Sequence, residues 1–365
     1  MSQTVIPFGD PKAQKKWSGK LFLETIKQSY WEKFIGEGDN NIIQRKTELE
    51  SDAGDRISFD LSVQLRGKPV RGDNRAKGTE ESLKFYTDEV IIDQIRHPVS
   101  AGGKMTRKRT AHDLRRVAKD RLAEYWSQYI DELYFMYVSG ARGINEDYIE
   151  PTDFTGHAGN AMQAPDSYHV LYGGDATSKA TIDSSDTMSR LLIERAAVKA
   201  KMMRATDPKT ANMVPVTVNG AKHYVVVMSP YQEHDLRNEV GERGWLEVSK
   251  AAAAAEGRSS PIFKGGSGMI NNVVLHCDES VVRFNDYGAG SNVAAARALF
   301  MGRQAGVVAF GTAGGLRFTW KEEVDDYGNE PTVVAGTIIG VKKVRFNSRD
   351  FGVIAIDTAA KDPNA

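Results

Sequence analysis

The run Arg56-Ile57-Ser58-Phe59-Asp60-Leu61-Ser62-Val63-Gln64-Leu65-Arg66 alternates polar and apolar residues without interruption. A period of two is the signature of a β-strand with one buried face. At about 3.3 Å per residue it reaches roughly 35 Å. A second strand-like run, Leu83 to Ile95, follows with a less regular phase. The stretch between them, Arg66 to Gly78, is rich in glycine and basic residues and almost bare of apolar ones. It is too long and too basic for a tight hairpin turn, and a structureless loop above about 12 residues is usually functional or disordered. One apolar row on a long arm needs a surface to lie on. A neighbouring copy of the chain is the expected surface. The apolar contacts would be Ile57, Phe59, Leu61, Val63 and Leu65, and the basic ones Arg66, Lys68, Arg71, Arg75 and Lys77.

The 365 residues suffice for a sizeable core, with two domains as the prior. A charged fraction of 26% and a hydrophobic fraction of 41% point to an ordinary soluble globular protein. No apolar stretch approaches the ~18–20 residues of a membrane span. The start, Met-Ser-Gln-Thr-Val-Ile-Pro-Phe, has neither the basic nor the apolar region of a secretory signal. The single cysteine, Cys277, cannot form an intrachain disulfide, which fits a reducing compartment. It lies in the apolar run Val273 to Cys277 and reads as a buried, inert thiol. Basic and acidic residues number 48 each, so the net charge is zero. That argues against a dedicated nucleic-acid-binding module and permits self-association.

In chain order, residues 1–50 lack a clean period, apart from a possible short helix over Leu21 to Phe34, and read as an arm that wraps over something. Thr110 is the expected cap of a long helix to Ser139, with Asp113 completing a capping-box-like start. Leu114, Val117, Leu122, Trp126, Ile130 and Leu133 recur on one face, and Gly140 supplies the stop. The helix begins basic (Arg107, Lys108, Arg109, Arg115, Arg116) and ends aromatic. A second helix is expected over Thr187 to Ala205 and a third over Leu246 to Glu256. Val214 to Met228 with Asn219-Gly220 at its centre is the strongest hairpin signal. Ser229, Pro230 and Gln232 then cap another helix, and Val214 to Cys277 reads as a compact α+β unit. Strands are expected over Arg303 to Thr312, Gly315 to Glu322, Thr332 to Phe346 and Phe351 to Asp357.

No motif selects a chemistry. The seven histidines show no metal-ligand spacing. Asp325, Asp326, Asn329 and Glu330 lack the order of a calcium loop and read as a solvated acidic turn. Gly265-Gly266-Ser267-Gly268 lacks the Gly-Lys-Ser/Thr ending of a phosphate loop. No catalytic, cofactor-binding or metal-binding residue is assigned. The basic stretch is the sharpest functional signal: it suits nucleic-acid backbone, or acidic side chains such as Glu48, Glu50 and Asp52 of the same or a neighbouring chain.

Four long runs carry a family resemblance: Phe34 to Glu48, Arg107 to Arg116, Ser139 to Asn145 and Ala294 to Gln304. With the order of parts, they make the chain resemble the major capsid proteins of tailed phages, in particular the N-four-like group of phages and prophages. The resemblance covers nearly the whole chain. It implies an α+β fold of the Hong Kong 97 capsid type. Its parts would be an N-terminal arm (1–54), an extended hairpin loop (55–95), a peripheral domain with the spine helix (96–185), an axial domain (186–305) and a closing β region (306–365). It implies a structural protein without catalytic residues or cofactors, self-assembling into hexamers and pentamers of an icosahedral head around double-stranded DNA. Portal, scaffold and decoration proteins are the implied further partners, with no membrane. The location is the virion capsid, after assembly in the host bacterial cytoplasm. An encapsulin-like compartment shell and an oligomeric α+β enzyme are the alternatives.

Overall fold

Asp113 opens the longest helix, Leu114–Ser139. Its carboxylate accepts from the backbone N–H groups of Arg115 and Arg116, at 3.2 and 3.4 Å. The cap is therefore Asp113 and not Thr110, which closes a separate short helix, Lys104–Arg109, in extended backbone. An ionised carboxylate at this position both satisfies orphan N–H groups and meets the positive end of the helix dipole. Gly140 ends the helix as expected, in the left-handed conformation with φ 73°. A Cβ there would also collide with the carbonyl oxygen of Gln163, so only glycine fits.

This computed structural model describes residues 29–50, 53–62, 65, 67–110, 113–206, 212–239, 261–263, 265–312 and 318–363. The expected helix over Leu246 to Glu256 lies outside them, as does most of the one expected over Leu21 to Phe34. The end of the latter is a 3-10 turn, Trp31–Phe34.

The long helix is not evenly amphipathic. Its first turns are largely exposed, Val117 included. From Leu122 to Ser139 almost every side chain is buried, whichever way it points, including Ser127, Asp131, Glu132 and Ser139. A helix covered on all sides is a central pillar, not a surface element.

Two mixed sheets surround it. In the first, the central strand Glu330–Lys343 pairs antiparallel with Asp93–Ser100, Thr319–Asp325 and Gly306–Phe310. Ile43–Lys46, from the segment expected to be an arm, adds in parallel to Gly306–Phe310. Trp31 of that segment is buried against Tyr134 and Phe135 of the long helix, and Phe34 is buried against Trp31 and His276. From Tyr30 onward the expected arm is thus built into the body.

The second sheet runs in the order Gly268–Ile270, Val273–Cys277, Ala221–Met228, Val293–Met301, Val353–Ala359, Val170–Tyr172. The hairpin at Asn219-Gly220 is as expected, with φ of 49° and 82°. So is the helix Pro230–Asn238, capped reciprocally by Ser229 and Gln232. The unit expected over Val214 to Cys277 is not closed on itself, however: its sheet is completed by strands from both sides of the chain. Helix Arg190–Thr206 lays Leu192, Ile193 and Ala196 on this sheet against Val226 and Phe300.

Trp126 sits where the helix meets the first sheet, fully buried, 5.1 Å from the ring of Phe318 and 5.8 Å from that of Tyr129. Trp126→Ala should cost about 3–5 kcal/mol in denaturant unfolding of dissociated subunits. A loss well under ~1 kcal/mol would show that the pillar is not packed on this face.

Candidate assembly surfaces and their anchors

The hairpin pairs Arg56–Ser62 with Phe85–Ile91, with Ile57 opposite Val90 and Leu61 opposite Tyr86. The base of its apolar row rests on this chain's own body. Ile57 is buried, and Phe59 and Leu61 are half-buried over Val307, Ala309, Val344 and Phe346. The rings of Phe59 and Phe346 meet edge to face at 6.0 Å. The first residues of the row thus rest at least in part on the chain's own body, and Phe59 and Leu61 keep part of their surface open. The physical reason is local: the strand pair leaves the body across an apolar shelf of the first sheet and the strand turn at Phe346.

The described pairing runs as far as Ser62 opposite Phe85. Leu65 is exposed, and so is every residue from 67 to 85, including Lys68, Arg71, Arg75 and Lys77. Val63 and Arg66 lie outside the described residues. Leu83 and Phe85 are 62% and 58% exposed, large apolar side chains with nothing on them.

The root of the hairpin is clamped. Asp88, on the same face as Ile57, pairs with Lys342 and accepts from the Arg345 N–H at 3.1 Å, with both charged side chains largely buried. Lys342 also donates to the Glu89 carbonyl at 2.9 Å. Asn160 brackets Ile91, accepting from its N–H at 3.0 Å and donating to its carbonyl at 2.7 Å. Tyr137 of the long helix donates to the Asn160 carbonyl at 2.8 Å. A Cβ at Gly340 would collide with the Ile91 carbonyl oxygen. The hairpin thus leaves the body at a fixed place and is uncovered only towards its end.

The basic cluster divides in two. Arg115 pairs with the nearly buried Glu322, and Arg107 donates to the Asn329 carbonyl at 3.2 Å. The Lys104 N–H donates to Asn329 Oδ1 at 3.0 Å. Among the described residues the acidic partner of Arg115 is thus Glu322, on the strand that leads into the acidic turn. Glu50 is taken by Arg45 at 2.5 Å, Glu48 is exposed, and Asp52 lies outside the described residues. Lys108, Arg109 and Arg116 point to solvent.

The strongest polar constellations are ones that reasoning from the sequence did not single out. Asp131 accepts from Ser29 Oγ at 2.7 Å and from the N–H groups of Tyr30 and Trp31. Burial pushes its carboxyl up to about 6 despite these donors. Glu132 accepts from the Ile149 N–H and from Gln128, both at 2.8 Å, and burial pushes it up to about 7. Arg142 donates to the carbonyls of Asn145 and Glu150, and Asn145 bonds Val281 and Arg283 across to the second sheet. Arg297 holds Asp357 with two bonds, 2.7 and 2.8 Å, touches Tyr287, and donates to the Ser139 carbonyl at 3.0 Å. It therefore satisfies an orphan carbonyl at the helix end while tying that end to the second sheet. The signal for Arg142, Asn145 and Arg297 was their place in the long runs Ser139 to Asn145 and Ala294 to Gln304.

These constellations are structural ties. Burial pushes the Cys277 thiol up, and takes His276 down to about 4. Among the described residues no three candidate ligands gather for a metal ion, and no helix is long and apolar enough to cross a membrane.

Residues 5–362 match the model of a family described as phage capsid protein. The chain belongs to that family. A major capsid protein of Pseudomonas phage KPP25 is 26% identical over 371 residues, covering 94% of each chain. The capsid of Ralstonia phage GP4 contains a chain 67% identical, matched over 100% of both, with a TM-score of 0.88. The capsid asymmetric unit of cyanophage Pam1, 22% identical over 92% of this chain and 94% of that one, shares the fold with a TM-score of 0.73. The fold is that of phage capsid subunits, in keeping with the Hong Kong 97 type. The function is that of a phage major capsid protein, a structural subunit of the virion shell. Neither a compartment shell nor an oligomeric enzyme is favoured by these matches.

Asp88→Ala should release the hairpin from this capsid subunit's body, leaving Lys342 without its carboxylate at a cost of up to about 3–5 kcal/mol. Amide exchange in dissociated subunits checks it. Protection across 56–62 and 85–91 should fall while that of 122–139 holds; unchanged protection at the hairpin would show that Asp88 is not the clamp.

Proposed function

We propose that the chain builds an icosahedral phage head from hexamers and pentamers enclosing double-stranded DNA, and that its hairpin overlies a neighbouring subunit. One observation carries this reading: a hairpin fixed at its root to its own body has a distal half with no cover of its own. A projecting strand pair with exposed Leu65, Leu83 and Phe85 gains about 25 cal/mol per Å² of apolar surface that a neighbour covers. Lys68, Arg71, Arg75 and Lys77, with Val63 and Arg66 beside them, would fix register and partner choice more than affinity.

In this reading 186–305 is the axial unit at the capsomer centre, and 96–185 with 306–365 forms the peripheral unit. Lys108, Arg109 and Arg116 are contacts to a neighbouring subunit or to packaged DNA phosphate, without sequence reading. Assembly takes place in the host cytoplasm with a portal, a separate scaffold where one is used, and decoration proteins. The work is mechanical, with no catalytic step.

Deleting Arg66 to Gly78 and closing the strands with Asn-Gly tests the reading. The variant should stay soluble and folded but make no closed shells in electron micrographs. Shells of normal size and yield from the deletion would refute it.

A further inference from the structure

Strand Phe85–Ile91 runs on through Ile92 into Asp93–Ser100. The basic loop stands before its start. At its far end, Ser100 pairs with Thr332 and donates to Glu330 at 3.2 Å, beside the acidic turn at Asp325 and Asp326. The two features thus terminate opposite ends of one strand run, up to roughly 50 Å apart at about 3.3 Å per residue.

Both ends are uncovered. In the turn, Val324, Asp325 and Asp326 are exposed and Tyr327 is fully so. In the loop, Val70, Leu83 and Phe85 are exposed among the basic residues. Of the carboxylates near the loop, Glu80 accepts from the Gly78 N–H at 2.7 Å and Glu81 from that of Gly67, and Asp73 is the one exposed acid set among the four basic residues. Lys68, Arg71, Arg75 and Lys77 pair with no described carboxylate. In the turn, Arg107 donates to the Asn329 carbonyl, and the Asp326 carboxylate accepts from the Asn329 side-chain amide at 3.0 Å. Asp325 and Asp326 pair with no described cation. One chain therefore carries a cationic, partly apolar end and an anionic, partly apolar end that do not cover each other.

We propose that the basic loop of one subunit seats on the acidic turn 325–330 of a second copy, joining copies head to tail. This rests on the reading of the hairpin as an inter-subunit arm, and names the surface it meets. A head-to-tail contact uses two different patches and generates rings when the rotation closes. The opposed charges select register, and Val70 and Tyr327 supply surface to bury. The contact is sensitive to salt, because exposed charges are screened over about 8–10 Å at moderate ionic strength.

Three charge variants of the full chain test the pairing. One reverses the loop (K68E, R71E, R75E and K77E), one the turn's Asp325 together with Glu323, the exposed acid two residues before it on the same strand (E323K and D325K), and the third carries both sets. All changes are at exposed positions, and dissociated variants should keep the parent's unfolding midpoint. Each single set should lower the yield of closed shells at low salt at least ~tenfold, and the combined set should restore it to within about threefold. If loop reversal leaves assembly unchanged, the arm reading falls and this pairing with it. If loop reversal blocks assembly but turn reversal does not, or the combined set fails to rescue, the pairing alone is overturned. Should a reversed chain not fold, R71C combined with Y327C in the otherwise native chain decides. Disulfide-linked chains across subunits in oxidised shells are expected, with the single-cysteine variants as controls, and their absence overturns the proposal.

Discussion

The structure depends on burying the second half of one helix from every side. Apart from Glu124, Tyr125 and Gln128, Leu122 to Ser139 is covered by the first sheet, the second sheet, residues 30–43 and the loops after Gly140. Such burial would be costly for Asp131 and Glu132, adjacent carboxylates that point in different directions. Each is satisfied by a different stretch of chain. Asp131 takes the donors of Ser29 to Trp31, and Glu132 takes the Ile149 N–H. The same two groups that threaten the core therefore pin the preceding and the following segments to it. At the helix end, Arg297 does likewise for the second sheet, through the Ser139 carbonyl and Asp357.

A rigid centre gives the hairpin its direction. Tyr137 sits on the buried half of the helix and holds Asn160, which brackets Ile91, where the hairpin leaves the body. Position is thus passed from pillar to arm by three hydrogen bonds rather than by a long apolar contact. The open distal half then has a defined place from which to reach. For a phage capsid protein this would separate the two tasks of a subunit under the proposed reading: the body keeps one shape, and the exposed ends are left for neighbours.

Local signals were legible where local physics decides. The alternation from Arg56 forecast a strand, and Asn219-Gly220 and Ser229-Pro230 forecast their hairpin and helix to within a few residues. The long helix was legible too, but its start moved from Thr110 to Asp113, because the better cap wins over the longer helix. What depends on distant pairing was not legible. Val293–Met301 has the small residues of a strand buried on both faces and no alternation to announce it. The cover over Ile57 and Phe59 comes from residues 307–346, far along the chain. Glu322, which pairs with Arg115, was not singled out, because it stands close only once the first sheet is formed.

The central claim is that the body is complete in itself and the hairpin's end is not. Electron cryomicroscopy of shells assembled from the full chain tests it most directly. The account predicts that Leu122 to Ser139 keeps the packing described for the single chain, while Leu65, Leu83 and Phe85 are covered by another subunit. Closed shells in which residues 67–85 still stand in solvent would contradict it.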